Sequence, residues 1–249
     1  MVKIGSARIN EFGEISGGKA GDQTGKECMI EDWYLHKDGW VIIRAKNETQ
    51  RKLIARDMIY LCENDYIGYD QPKDQTLYQV AEKFGFDCSK VNEPCDTDCA
   101  RGVRVCLRYA GYNVPDFYTG NEIDVLEKTG YFEIIRDKNY TDTDKYLKVG
   151  DILCTPVKGH TVVVVSTGNS ETDYIRVFCD TKLSGNRKTV GGVTNIREYA
   201  GKDKRILGII PANEIVYVNG IYAHEPYENK KWYYVEYNGV CGFISELML

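Results

Sequence analysis

The sequence predicts an α+β fold followed by a small all-β, barrel-like unit. Three observations carry this. Between residues 47 and 130 the apolar residues recur at helical spacing. From residue 132 to 210 they change to short β-branched and aromatic runs. Two Asn-Gly pairs, Asn219-Gly220 and Asn238-Gly239, then read as hairpin turns. Helices first and strands afterwards is the α+β order. A chain of 249 residues holds one large domain, or one medium and one small. The expected division is a first domain over 1–205 and a small one over 206–249.

Residues 1–38 are rich in Gly, Asp and Lys and read as loop. Within them, Gly-Gly-Lys-Ala-Gly-Asp-Gln-Thr-Gly-Lys-Glu (17–27) has the outline of a phosphate loop but fails it twice. Ala20 stands where the first glycine belongs, and Glu27 replaces the magnesium-holding Ser or Thr with a charge that repels phosphate. A loop bonded through its own backbone is the better reading. Residues 40–45 read as a strand. Asn47 and Gln50 are spaced as a capping box for a helix with Leu53, Ile54, Met58, Leu61 and Cys62 on one side. A second helix is expected from Asp74, with Leu77, Val80, Ala81 and Phe84 at i, i+3, i+4, i+7 and Gly85 closing it.

The third helix lies in Cys-Asp-Thr-Asp-Cys-Ala-Arg-Gly-Val-Arg-Val-Cys-Leu-Arg-Tyr-Ala-Gly, residues 95–111. Cys99, Val103, Cys106 and Ala110 share a face, Asp96 to Asp98 are helix-start residues, and Gly111 is a stop. Thr119 and Glu122 form a second capping box, for a short helix with Ile123 and Leu126 ending at Gly130. Strands are expected at 132–136, 151–155, 160–166, 174–179 and 206–210. Residues 161–165 are β-branched throughout, as suits a central strand covered on both faces. In the tail, residues 232–237 and 240–244 flank the second Asn-Gly pair.

Net charge is −5 with acids and bases interspersed. Nucleic acid is therefore not the expected partner, because phosphate binding needs a basic surface. No run approaches the ~20 apolar residues of a membrane helix, and residues 1–18 lack the apolar core of a secretory signal. The expectation is a protein made in a cytoplasm, with no membrane insertion. Nine cysteines, an odd number at irregular spacing, read as reduced thiols rather than a disulfide framework.

One of those thiols has the setting of a nucleophile. Cys99 falls in a helix's first turn, where unpaired N–H groups and the dipole favour a thiolate and a cysteine pKa can fall to about 3.5–7.5. Such a nucleophile needs a base. The chain offers His36, His160 and His224. His36 sits beside Lys37 and Asp38 and His224 beside Glu225, both reading as exposed. His160 follows Gly159 and opens the valine-rich strand, a rigid position at the edge of the core. A metal is the rival for the cysteines, but Cys88, Cys95, Cys99 and Cys106 are spaced seven, four, seven, and only the middle pair has zinc-like spacing. Cys99 and Cys106 on one helix would lie about 10 Å apart, too far to share an ion. No cofactor or metal is expected.

These residues resemble the NlpC-like cysteine peptidases of the papain-like fold, specifically phage endolysins of Gram-positive hosts. Asp98-Cys99 resembles the family's nucleophile motif. Val149-Gly150-Asp151-Ile152-Leu153 resembles the Gly-Asp strand before the histidine, and Gly159-His160-Thr161-Val162-Val163 the histidine strand. The likeness spans about residues 1–200. Ala100-Arg101 departs from the usual Ser-Gly after the cysteine; Arg101 either adds positive potential near the thiolate or lies on the solvated face. The resemblance implies hydrolysis of an amide in peptidoglycan, with Cys99 attacking, His160 as base then acid, and a backbone N–H at the oxyanion. Asp98 is read as capping the helix or shaping the cleft rather than taking part in the chemistry. The resemblance also implies a third polar residue orienting the imidazole from the strand after the histidine, for which Asp173 and Asp180 both remain candidates.

Trp232-Tyr233-Tyr234-Val235, Asn238-Gly239 and Gly242-Phe243-Ile244 resemble the final hairpin of a bacterial Src-homology-3-like wall-binding module, whose exposed Tyr and Trp would stack on peptide or sugar. With no secretory signal, such a lysin would reach the wall through a phage holin or through lysis. Two alternatives stay open: a non-catalytic wall-binding or phage structural protein, and a cysteine hydrolase toxin acting on intracellular proteins. Digestion of purified peptidoglycan separates the toxin from the lysin.

Overall fold

The Thr-Val-Val-Val-Val-Ser run becomes a strand of a six-stranded antiparallel sheet, and its four valines are all buried, as a strand covered on both faces requires. In this computed structural model the described residues are 1–73, 76–168, 177–179, 181–202, 204–224 and 230–249. The chain divides into two units, Met1–Tyr174 and Ile175–Leu249. That division precedes the expected boundary at 205/206, because strands before residue 206 pair with strands of the tail.

The first unit contains, in chain order, β1 (Lys3–Ala7), β2 (Cys28–Asp32), β3 (Val41–Ala45), α1 (Glu48–Glu63), β4 (Ile67–Tyr69), α2 (Thr76–Glu82), β5 (Cys95–Thr97), α3 (Cys99–Tyr109), α4 (Glu122–Lys128), β6 (Phe132–Ile135), α5 (Lys138–Thr141), β7 (Ile152–Cys154) and β8 (Thr161–Ser166). Its sheet order is β2-β1-β8-β7-β3-β6; β4 and β5 form a separate parallel pair. α1 and α3 pack on the sheet and on each other. Gly5 lets α1 approach: a Cβ there would lie 2.9 Å from Met58 Cγ. Val2, Ile4, Trp40, Ile42, Leu153, Val162 and Val164 belong to one apolar cluster of this sheet.

β1 and β2 are strands where loop was expected. The loop between them closes on itself: the Asp22 carboxylate accepts from the backbone N–H groups of Thr24, Gly25, Glu27 and Cys28 at 2.7–3.3 Å. The concavity a phosphate would occupy thus holds the protein's own anion. Asn47 caps α1, accepting from Gln50 N at 3.1 Å, and the Gln50 side chain donates to Ala110 O. The expected Thr119/Glu122 capping box does not form. Asn121 is the N-cap, and both box residues are drawn to the β8 end of the sheet.

Gly150-Asp151 is a structural device. Gly150 has φ +83°, and a Cβ on it would fall 1.7 Å from Arg51 O. Asp151, fully buried, takes Arg44 through two bonds of 2.8 and 2.6 Å.

The second unit holds β9 (Val177–Cys179), β10 (Gly185–Lys188), β11 (Thr194–Arg197), β12 (Ile206–Ile210), β13 (Ile215–His224), β14 (Lys231–Tyr237) and β15 (Val240–Ser245). They form one seven-stranded sheet, ordered β10-β13-β14-β15-β11-β12, with β9 on β13. Asn238-Gly239, both at positive φ, turns β14 into β15 as expected. Asn219-Gly220 is no hairpin: it lies inside β13, where the pairing with β14 shifts register. The core is Ile196, Ile210, Val216, Val218, Val235 and Ile244. Trp232 and Tyr234 are buried, so neither is the open stacking platform the sequence suggested; Tyr217 is exposed.

Candidate active site

Two separate strands deliver the two sequence-predicted residues. β5 leads directly into α3, so Cys99 opens that helix, with Asp98 as its N-cap. Asp98 Oδ1 accepts from Arg101 N at 2.7 Å, and its other oxygen pairs with the Arg101 guanidinium at 2.9 Å. Asp98 therefore caps, as expected. Arg101 also faces Asp116 at 3.3 Å, so its charge is engaged by carboxylates rather than offered to the sulfur.

The Cys99 sulfur lies against the start of β8. The backbone N–H groups of Thr161 and Ala100 reach it and favour the thiolate. Burial outweighs them: Cys99 is 8% exposed, and with the nearby Asp98 and Glu122 carboxyls its thiol is pushed up to about 12. The low thiol pKa expected from a helix start is corrected by this desolvation.

His160 is held by its backbone, whose N–H donates to Thr155 Oγ1 at 3.0 Å and whose carbonyl accepts from Thr155 N at 3.0 Å. Its ring turns to β1: Nε2 lies 3.3 Å from Ser6 Oγ. Burial, then the charges of Arg8 and His36, bring the imidazole down to about 4, so at neutral pH it is an uncharged base. Among the described residues, no hydrogen bond joins Cys99 to the imidazole. The sulfur meets the backbone of Thr161, the residue next to His160 in the chain.

Several neighbours were not legible in the sequence. Glu122, fully buried, accepts from Thr161 Oγ1 at 2.9 Å, and burial raises its carboxyl to about 8. The Tyr34 phenol is raised by burial and then by the Glu31 carboxylate, and the Tyr69 phenol by burial. His36, expected in open loop, packs 5.2 Å from the Trp40 ring, with Nδ1 accepting from Asp38 N at 3.1 Å. His224 belongs to the second unit, at the end of β13 against Tyr222. Asp173 and Asp180, the candidates for the imidazole's partner, lie outside the described residues.

A cavity of about 350 Å³ opens beside this region, bordered by Trp40, Thr119, Asp124, Arg136, Lys138 and Pro156. Thr119 joins it to the histidine loop, since its hydroxyl accepts from Gly159 N at 3.3 Å. Among the described residues no cluster of three or more His, Cys, Asp or Glu could hold a metal, and no helix is long and apolar enough to cross a membrane.

A family model described as an endolysin-like domain matches residues 4–171. No curated protein and no solved structure matches the chain.

Proposed function

Because the chain belongs to the endolysin-like domain family, whose match takes in nearly all of the first unit, we propose that it is a phage-type peptidoglycan hydrolase cutting an amide bond by Cys/His thiol chemistry on a papain-like, NlpC-like domain. The observation that supports this reading is that Cys99 opens α3 while the backbone of Thr161, which begins β8 and follows His160 in the chain, meets its sulfur. His160 Nδ1 takes the S–H proton as sulfur attacks the carbonyl carbon. The resulting oxyanion is met in part by the backbone N–H of Cys99. On collapse the C–N bond breaks, and the imidazolium gives its proton to the leaving amine. Water, deprotonated by the same imidazole, then cleaves the thioester, releasing a carboxylic acid and restoring the thiol. Both groups rest uncharged, so proton transfer accompanies attack rather than preceding it.

The second unit is read as a wall-targeting, Src-homology-3-like module, and delivery to the wall as the work of a phage holin or of lysis. Peptidoglycan is the substrate; no cofactor enters the steps above. Cys99→Ala is expected to abolish clearing of a purified Gram-positive wall suspension while leaving the melting temperature within about 3 °C. Wild-type clearing by that variant would overturn the reading. One observation favours a second reading, a non-catalytic wall-binding or phage structural protein: the nucleophile's small residual exposure. On that reading wild type and Cys99→Ala bind wall equally and neither clears it.

A further inference from the structure

The geometry points to Ser6, on the first strand of the chain, as the residue that orients the His160 imidazole; the inference rests on the Cys99/His160 reading. A base of this kind must be held through one ring nitrogen so that the other presents its lone pair. Ser6 Oγ, 3.3 Å from Nε2, is the ring's hydrogen-bond partner among the described residues. Ser6 is 2% exposed, which shields the contact from water.

The sheet explains why a residue so distant in sequence fills this place. β1 borders β8 on the side away from β7. Gly5 pairs with Val163 and Ile4 with Val164. Continued one step, that register sets Ser6 opposite 162 and diagonal to 160, within reach of a long side chain on the same face. β9, which follows β8 in sequence, pairs with β13 in the other sheet.

In the catalytic tautomer, Nε2–H donates to Ser6 Oγ and Nδ1 is left unprotonated. When Nδ1 gains the thiol proton, Nε2–H keeps the same acceptor, so the ring need not turn between its two tasks. Ser6 is a positioning residue: it acts through His160.

The test compares Ser6→Ala, Ser6→Thr and Cys99→Ala with wild type in hydrolysis of purified Gram-positive peptidoglycan across pH, and records ¹⁵N spectra of the imidazoles in the full chain. Three histidines keep those spectra simple. The expected results are a single Nε2–H tautomer at His160 in wild type, and in Ser6→Ala a tautomer mixture. Ser6→Ala should also lower kcat at least about tenfold, with KM little changed. Its acid limb should move to lower pH, because the imidazolium has lost an acceptor, and Ser6→Thr should restore both signatures. An Nδ1–H tautomer in wild type, or a Ser6→Ala enzyme with wild-type rate, pH profile and spectrum, would overturn the inference. Should Ser6→Ala not fold, the wild-type tautomer decides alone. Wall clearing by Cys99→Ala would bring down the underlying reading and this inference with it; an inert Cys99→Ala beside an unaffected Ser6→Ala removes only Ser6.

Discussion

Glu122 enters the first turn of α4 without a cation to meet it. Oε1 accepts from Thr161, Oε2 has no hydrogen-bond partner among the described residues, and burial pushes the group to about 8, with Thr161 and Cys154 pulling the other way. The native state thus keeps a proton that the unfolded chain releases near 4.5. Between those values the native state binds more protons, so its stability falls as pH rises through that window. Glu122→Gln keeps an oxygen for Thr161 and removes the ionisation. Thermal or urea melts should find the variant close to wild type at pH 4 and more stable at pH 8.5 by on the order of a few kcal/mol. Equal stabilities at both pH values would refute the buried-acid account. His160 has the opposite sign: its lowered value means stability lost as pH falls from 6.5 towards 4. At this scale the sequence revealed the residues whose local setting declares them: Cys99 at a helix start, Asp98 as its cap, His160 at a strand edge. Ser6 and Glu122 matter through contacts 154 and 39 residues away, and a serine or glutamate in isolation carries no such signal.

The helices show the same division between local and distant causes. α1 and α3 were legible because capping and periodicity act within a few residues, and both helices bury the faces their sequences mark. The Thr119/Glu122 box failed because tertiary partners, Gly159 and Thr161, outbid a local cap. β1 was missed because Lys-Ile-Gly-Ser-Ala has no bulky alternation. Its small residues are there so that α1 can approach, a requirement set elsewhere in the chain. Gly150 gives this scale its measurement. Gly150→Ala would combine a left-handed φ with a collision against the α1 backbone, and thermal melts should show a loss above about 3 kcal/mol. Gly39, at φ +75° with nothing within 4 Å of its would-be Cβ, is the control: Gly39→Ala should cost only about 1–2 kcal/mol. Similar losses at both positions would show that the collision is relieved by a shift of α1.

As a whole, the chain forms two units, each with its own sheet and core, and the first carries the endolysin-like match. Mixed α+β architecture could be read from the change of period near residue 130. The division at 174/175 could not, because β9 to β11 commit to the second sheet through pairings with strands further along the chain. The chemistry proposed for the first unit pairs the strand-edge imidazole of His160, as base, with the helix-start thiol of Cys99, whose pKa burial raises. Site-resolved alkylation against lytic rate measures this directly. With iodoacetamide at neutral pH, the loss of wall clearing should follow carbamidomethylation of Cys99 in proportion, and His160→Ala should slow that modification by about tenfold or more. Full modification of Cys99 with clearing undiminished would contradict the account.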